Sequence, residues 1–173
     1  IALGVLVASG QLPRELVAGH EFLGELTLDG RLRPVAGTLA AALELGTATA
    51  ALVVPADNAA EAAVAGTAPA FGADSLNAVT AHLRGDEPLT PAVPGEPAAP
   101  EPPALAAVRG QASAKRALEV AAAGNHGLLL SGPPGAGKTL LARCLPGILP
   151  ELPPSHQIEV ARIRSVQGEA VSA

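Results

Sequence analysis

The chain has 173 residues, enough for one ordinary domain or two small ones. It contains two Phe, no Tyr, no Trp and one Cys, which argues against base-stacking surfaces, an internal disulfide framework and a Cys-based zinc site. The net charge of −5 is uneven, because residues 1–104 carry 4 basic and 12 acidic side chains whereas residues 105–173 carry 7 and 4. This change of sign predicts two units with different partners.

No apolar run is long enough to span a membrane, so we expect a soluble, cytoplasmic protein. The chain has no Met, and its first residues read as the end of a helix. We therefore expect a fragment of a longer protein.

Residues 1–85 show a mixed pattern of helices and strands. Asp29-Gly30 is a strong hairpin signal between two runs with strand character, and Asp57 and Ser75 are candidate helix N-caps. In chain order, the pattern predicts a helix end at 1–8, strands at 22–28 and 31–35, a helix at 37–45, a buried strand at 51–54, a helix at 58–65, a strand at 68–71 and a helix at 76–83.

A proline-rich segment follows. Residues 88–103 hold 7 of the 17 prolines. Because proline fixes φ and lacks a backbone donor, this segment is expected to form a semi-rigid linker. Its P-x-x-P runs also match ligands of SH3 domains, but a spacer needs no partner.

Residues 105–173 follow a different pattern, typical of a parallel α/β arrangement. It predicts a helix at 112–123, an apolar strand at 127–131, a glycine-rich loop and a helix at 138–145. After these it predicts either a helix that Ser155 caps and that runs to about Ile163, or a strand at 158–166. Cys144 lies on the apolar side of its helix, which favours a buried core thiol. The four His show no metal-binding spacing.

The loop carries the chemistry of the chain, because it fits G-x-x-x-x-G-K-[ST]. Glycines let successive backbone N–H groups face phosphate oxygens, the Lys reaches the β- and γ-phosphates, and the Thr hydroxyl is a Mg²⁺ ligand. The sequence therefore predicts ATP and Mg²⁺ as cofactors. The predicted nucleotide-binding residues are Gly132, Pro133, Pro134, Gly135, Ala136, Gly137, Lys138 and Thr139, of which Thr139 is also the metal ligand.

The surroundings of this motif resemble the AAA+ ATPases. V-R-G-Q stands at residues 108–111, A-K-R-A-L-E-V-A-A-A-G-N-H-G-L-L-L leads into the loop, and L-P-G-I-L-P follows the loop helix. These runs resemble the magnesium chelatase-like ATPases of the YifB/ComM type. The resemblance implies that residues 108–111 lie beside the adenine, which adds Gly110 and Gln111 to the nucleotide-binding residues. Without it, this pair is only a helix-entry turn.

The first 85 residues resemble Lon-protease-like domains. F-L-G-E-L-T-L-D-G-R-L-R-P-V-A-G at residues 22–37 resembles their hairpin, and L-V-V-P-A-D-N at 52–58 resembles the next strand and turn. The implied architecture belongs to the α/β class. A Lon-like (ribosomal S5 domain 2-like) α+β domain at 1–85, truncated at its N-terminus, and a Pro-rich linker at 86–104 precede the first part of a P-loop AAA+ α/β domain at 105–173, truncated at its C-terminus.

This resemblance does not extend to protease chemistry. Lon-type enzymes use a Ser–Lys dyad whose Lys follows a P-x-G-G turn, and here that region reads P-V-A-G-T-L at residues 34–39. Residues 1–114 contain no Lys, and the Ser position would precede Ile1. Without a base, a Ser nucleophile stays unactivated, so we expect a proteolytically inactive domain.

The resemblance implies a motor that binds MgATP between the subunits of a homo-oligomeric ring, a hexamer, and translocates on DNA, as in branch migration during recombination. Residues 140–173 contain no acidic pair after an apolar strand and no assignable arginine finger, so we assign no catalytic residue. We expect this segment to bind nucleotide and the full-length protein to be an ATPase. The alternatives are a chelatase-like motor that remodels a protein or metal-insertion partner, an ATP-dependent Lon-like protease, and a non-enzymatic binding module.

Overall fold

A computed structural model describes residues 1–46, 49–95 and 102–169, which form two compact units. The first unit takes its described residues from 1–95 and 154–169, and the second from 102–153. The strands are β1 (His20–Phe22), β2 (Glu25–Leu26), β3 (Leu32–Arg33), β4 (Ala51–Pro55) and β5 (Ala70–Ala73). The helices are α1 (Ala2–Ala8), α2 (Arg14–Val17), α3 (Thr38–Leu43), α4 (Ala56–Val64), α5 (Leu76–Arg84), α6 (Ala112–Gly124), α7 (Lys138–Cys144) and α8 (Pro154–Gln167).

A parallel sheet forms the centre of the first unit, with strand order β1-β4-β5. Every residue of β4 is buried, as the short apolar run predicted. Successive side chains of a strand point to opposite faces, so Leu52 and Val54 enter one core cluster and Val53 enters another. The first cluster contains Ala59 and Ala62 of α4, and the second contains Val79 and Leu83 of α5. This is an α/β arrangement, as predicted.

The predicted hairpin is confirmed, with shorter strands than the sequence indicated. β2 pairs antiparallel with β3, and Gly30 takes a φ of 82° in the turn between them. The predicted strand at 22–28 is interrupted at Gly24, whose φ is 156°. Residues before Gly24 pair with β4 instead, so β1 and β2 belong to different sheets.

The two predicted helix caps in this unit have different outcomes. The Ser75 hydroxyl accepts a hydrogen bond from the Ala78 N–H at 3.2 Å, and Gly85 ends α5 in the left-handed conformation, so this cap is confirmed. The Asp57 cap is wrong. α4 begins at Ala56, directly after Pro55, so Asp57 lies inside its first turn. A carboxylate at this position interacts favourably with the positive end of the helix dipole, but it does not cap the helix.

The start of the proline-rich segment lies against the first unit. The Leu89 N–H donates to Nδ1 of His82 at 3.0 Å, and the Ala92 N–H donates to the Ala70 carbonyl at 2.8 Å. Pro91 forms a bridge with Phe71 of β5. A proline is tolerated here because it lies at the edge of the sheet. Residues 96–101 of the predicted linker lie outside the described residues.

The helices α6 and α7 of the second unit are confirmed, but the predicted strand between them is wrong. Residues 127–131 are not a strand, and Leu129 is 89% exposed. A strand exists only where its backbone pairs with a neighbour, and no described segment of this unit pairs with these residues. A short 3₁₀ turn at Leu105–Ala107 precedes α6, and another at Leu145–Gly147 follows α7.

The last described element is helical, which decides between the two sequence interpretations. α8 covers Pro154–Gln167 and includes Ser155, which therefore lies within the helix and does not cap it. α8 packs on α3, where Ser165 is 1% exposed and Arg162 forms an ion pair with Glu44 at 2.7 Å. The domain bounds 1–85, 86–104 and 105–173 stay a prediction. None of the described helices is long and apolar enough to cross a membrane.

Candidate functional site

The candidate site is the glycine-rich loop, residues 132–139, which leads directly into α7. Gly132, Gly135 and Gly137 have φ angles of 154°, 80° and 80°. These conformations are readily available only to glycine, because a Cβ atom would strain the backbone. The spacing of glycines in the sequence therefore has a direct structural reason, because these three positions of the loop have positive φ angles.

Lys138 closes the loop from its C-terminal side. Its Nζ donates hydrogen bonds to the carbonyl oxygens of Gly132 at 2.7 Å and Pro133 at 2.8 Å. The ion pairs found among the described residues do not include Lys138. Its positive charge is thus held at the loop without a neutralising carboxylate, an arrangement that favours an anionic ligand.

Gln111 contacts this loop, although it precedes the loop by more than twenty positions. The Gln111 side-chain amide donates to the carbonyl of Ala136 at 2.9 Å. Gly110 and Gln111 both have left-handed backbones, with φ angles of 67° and 54°, at the entry to α6. The structure therefore brings the two predicted groups of site residues together.

A small apolar core anchors the helices that carry these groups. Val108, Leu118 of α6, and Leu141 and Cys144 of α7 are all buried in one cluster. Cys144 is 0% exposed, so the prediction of a core thiol is confirmed. This cluster fixes α6 against α7, and with them it fixes the spacing between Gln111 and the loop.

Thr139 follows Lys138 in the first turn of α7 and is exposed. A hydroxyl oxygen suits Mg²⁺, which prefers oxygen ligands and usually completes its shell with waters and substrate phosphates. Within the described residues, no three His, Cys, Asp or Glu side chains come together to hold a metal. One hydroxyl that can bind Mg²⁺, beside an ammonium group that can bind phosphate oxygens, fits a metal that arrives with phosphates.

The region of the first unit that resembles the turn of Lon-type proteases lies at the start of α3. Thr38 is 0% exposed and its hydroxyl donates to the Val35 carbonyl at 3.2 Å. The next backbone N–H, of Leu39, donates to the Glu61 carboxylate and to the Ser165 hydroxyl, both at 3.2 Å. These groups stabilise the start of α3.

A large apolar groove, about 1010 Å³, also lies in the first unit, beside α1 and β1. Leu3, Val7, Phe22 and Val53 are among the residues that line it. Its surface is mostly apolar, and Arg14, His20 and Glu21 are the ionisable side chains that line it.

Comparisons with known proteins show the family of the chain. Residues 104–173 match the family model described as magnesium chelatase, subunit ChlI, and residues 1–58 match the model described as subunit ChlI of Mg-chelatase. An uncharacterized protein of Mycobacterium tuberculosis is 45% identical over 170 residues, covering 97% of this chain and 34% of that protein.

Two further relatives carry names. The uncharacterized protein YifB of Salmonella typhimurium is 42% identical over 167 residues, covering 96% of this chain and 33% of its own length. The competence protein ComM of Haemophilus influenzae is 40% identical over 176 residues, covering 98% of this chain and 35% of its own length. The chain thus spans about a third of the length of these relatives.

These matches cover both units of the chain. The chain belongs to the magnesium chelatase-like proteins, a family of AAA+ ATPases. Within that family it is of the YifB/ComM type, as the sequence runs predicted.

Proposed function

We propose that this chain is the ATP-binding segment of a DNA-acting ring motor, with the phosphates of MgATP bound at the glycine-rich loop. The observation that carries the proposal is the position of Lys138, whose ammonium group faces the loop carbonyls and has no carboxylate partner among the described residues. The family, which consists of AAA+ ATPases, and the G-x-x-x-x-G-K-T pattern of the loop both support MgATP as the ligand.

The residues of the loop have separate tasks in this proposal. Lys138 exchanges its bonds with the carbonyls of Gly132 and Pro133 for the oxygens of the β- and γ-phosphates. Pro133, Pro134, Gly135, Ala136 and Gly137 form the backbone that surrounds the phosphates. Thr139 supplies a hydroxyl to Mg²⁺, which neutralises phosphate charge when it is bound.

The remaining architecture is part of the same proposal. Residues 1–85 form a Lon-like domain without protease activity, residues 86–104 a linker, and residues 105–173 the start of a P-loop AAA+ domain. The absence of Lys from residues 1–114 and the buried Thr38 hydroxyl support an inactive domain. This unit then serves assembly or contacts with a partner.

Removal of the Lys138 charge tests the nucleotide site. Lys138→Ala is expected to weaken binding of MgATP at least about tenfold, because a charge-assisted contact with the phosphates is lost. Isothermal titration calorimetry measures this directly. Lys115→Ala removes the other lysine of the chain, on α6, and is the matched control with unchanged affinity expected. Equal affinity in wild type and Lys138→Ala would refute the proposed site.

The substrate of the motor is the second part of the proposal. The relative named a competence protein and the excess of basic side chains in residues 105–173 support DNA. A cytoplasmic location is part of the proposal, and so is assembly into a homo-oligomeric ring, a hexamer, which the family resemblance implies. A chelatase-like motor that remodels a protein is the alternative, and stimulation of ATPase activity by DNA separates the two.

A further inference from the structure

Gln111 has a backbone conformation that is unfavourable for its residue type. Its φ and ψ are 54° and 40°, in the left-handed region, where a Cβ atom crowds the following carbonyl. The other described non-glycine residue with a positive φ is Asn125, which ends the same helix α6. Asn tolerates this conformation well and is common there, whereas Gln has no such preference. A strained residue beside a candidate site indicates a functional contact.

The contact made by the Gln111 side chain supplies the reason. Its Nε2 donates to the Ala136 carbonyl at 2.9 Å. A Cβ atom built on Gly137 would lie 2.8 Å from the same Nε2. A side chain at position 137 would therefore displace this amide from the loop backbone, and glycine leaves room for the contact.

The peptide group between Ala136 and Gly137 links the Gln111 contact to the N–H of Gly137. In a trans peptide the C=O and the N–H point in opposite directions. A donor that holds the Ala136 carbonyl on one side therefore directs the Gly137 N–H to the other side, away from Gln111. This N–H lies directly before Lys138, at the N-terminal end of α7.

We propose that Gln111 is a positioning residue for the phosphate-binding loop, which acts through the Ala136 carbonyl and not through contact with the base. The proposal rests on the proposed function, because it assumes that the loop holds the phosphates of ATP. It assigns Gln111 a role different from the adenine contact that the family resemblance implied. The ligand it affects is any oligophosphate held by the loop, with or without a nucleoside.

Two variants of Gln111 separate the effect of its side-chain amide from the effect of its strained backbone. Gln111→Gly removes the amide but relieves the left-handed backbone, so the thermal midpoint of unfolding is expected to stay equal or rise. Gln111→Glu keeps the length of the side chain but replaces the amide donor by a carboxylate. Asn125→Gly is the matched control, because it relieves the same conformation at the other end of α6.

Calorimetric titration of the 173-residue chain with MgATP and with magnesium tripolyphosphate, which has no base, tests the proposal. Gln111→Gly is expected to weaken both ligands by the same factor, about 3- to 10-fold, the effect of one hydrogen bond. Gln111→Glu weakens both further, because its charge repels phosphate. Asn125→Gly leaves both affinities unchanged.

Three outcomes contradict this expectation. If Gln111→Gly weakens ATP but not tripolyphosphate, Gln111 contacts the nucleoside and the positioning role is wrong. If it changes neither affinity, the contact with Ala136 has no part in binding, which also overturns the proposal. If Lys138→Ala changes neither affinity in the same titrations, the proposed nucleotide site fails, and this result is distinct from the other two.

Discussion

His82 connects α5 to the start of the proline-rich segment. Its Nδ1 accepts a hydrogen bond from the Leu89 N–H at 3.0 Å, and its ring lies 4.8 Å from the ring of Phe71. Burial lowers the pKa of His82 below its usual value of 6.5, and the charge of His20 lowers this pKa further. The folded state therefore favours the neutral imidazole, which is also the form that can accept this hydrogen bond.

The pKa of His82 predicts a loss of stability in acid. Because the folded protein binds this proton less readily than the unfolded chain, the stabilisation is complete above the usual pKa and decreases as the pH falls below about 6.5. His82→Asn keeps an acceptor and does not titrate, so it is expected to lose less stability than wild type between about pH 8 and pH 5.5. Urea unfolding followed by circular dichroism measures the difference, and parallel losses in the two proteins would contradict it.

The close packing of β5 on α4 depends on one glycine. A Cβ atom built on Gly72 would lie 2.8 Å from the Cβ of Ala59 and 3.0 Å from the Cα of Ala56. Ala56 contributes a backbone atom, which cannot rotate away from the added group. The small side chains of α4 and the missing side chain of Gly72 therefore let the helix lie close to the sheet.

Gly72→Ala is expected to lower the free energy of unfolding by about 1 to 3 kcal/mol through overpacking. Gly4→Ala is the matched control, since Gly4 lies exposed on α1 with no atom within 4 Å of an added Cβ. That change is expected to raise the free energy of unfolding by about 0.5 to 1 kcal/mol through helix propensity. Urea unfolding of both variants gives the comparison. The packing argument fails if the two substitutions have the same sign.

Each unit of the molecule has its own core, and the two parts of the sequence, residues 1–104 and 105–173, differ in charge. The first unit is built on the buried strand β4, and the second on the cluster that contains Leu118 and Leu141. Residues 105–173 carry more basic than acidic side chains, whereas residues 1–104 carry more acidic than basic ones. A polyanion such as DNA is therefore expected to meet the nucleotide-binding part of the natural protein.

DNA is expected to stimulate the ATPase activity of the natural protein. Because binding to phosphates releases counterions, this stimulation decreases as the salt concentration rises. Lys138→Ala removes basal and stimulated activity together, whereas Lys115→Ala retains both. Phosphate release measured with single-stranded, duplex and branched DNA tests the expectation. A flat response to all three would exclude the DNA motor and favour the remodelling alternative.

Local patterns predicted most elements of the first unit, because their signals lie within a few residues. The hairpin at Asp29-Gly30, the buried strand β4 and the Ser75 cap are such cases. The wrong predictions share a different cause. The apolar run at 127–131 has the composition of a strand, but a strand also needs a neighbour, and composition does not supply one. Asp57 is a good cap residue, yet Pro55 sets the helix start two residues earlier.

For the candidate site, the sequence by itself determined the chemistry of the loop. Three glycines, one lysine and one threonine lie within eight consecutive residues, and their spacing alone predicts which atoms would meet a phosphate. Only the tertiary structure decided the partner of Gln111. Its amide reaches Ala136, 25 positions away, because the buried cluster of α6 and α7 holds two distant turns side by side, and no local pattern encodes that packing.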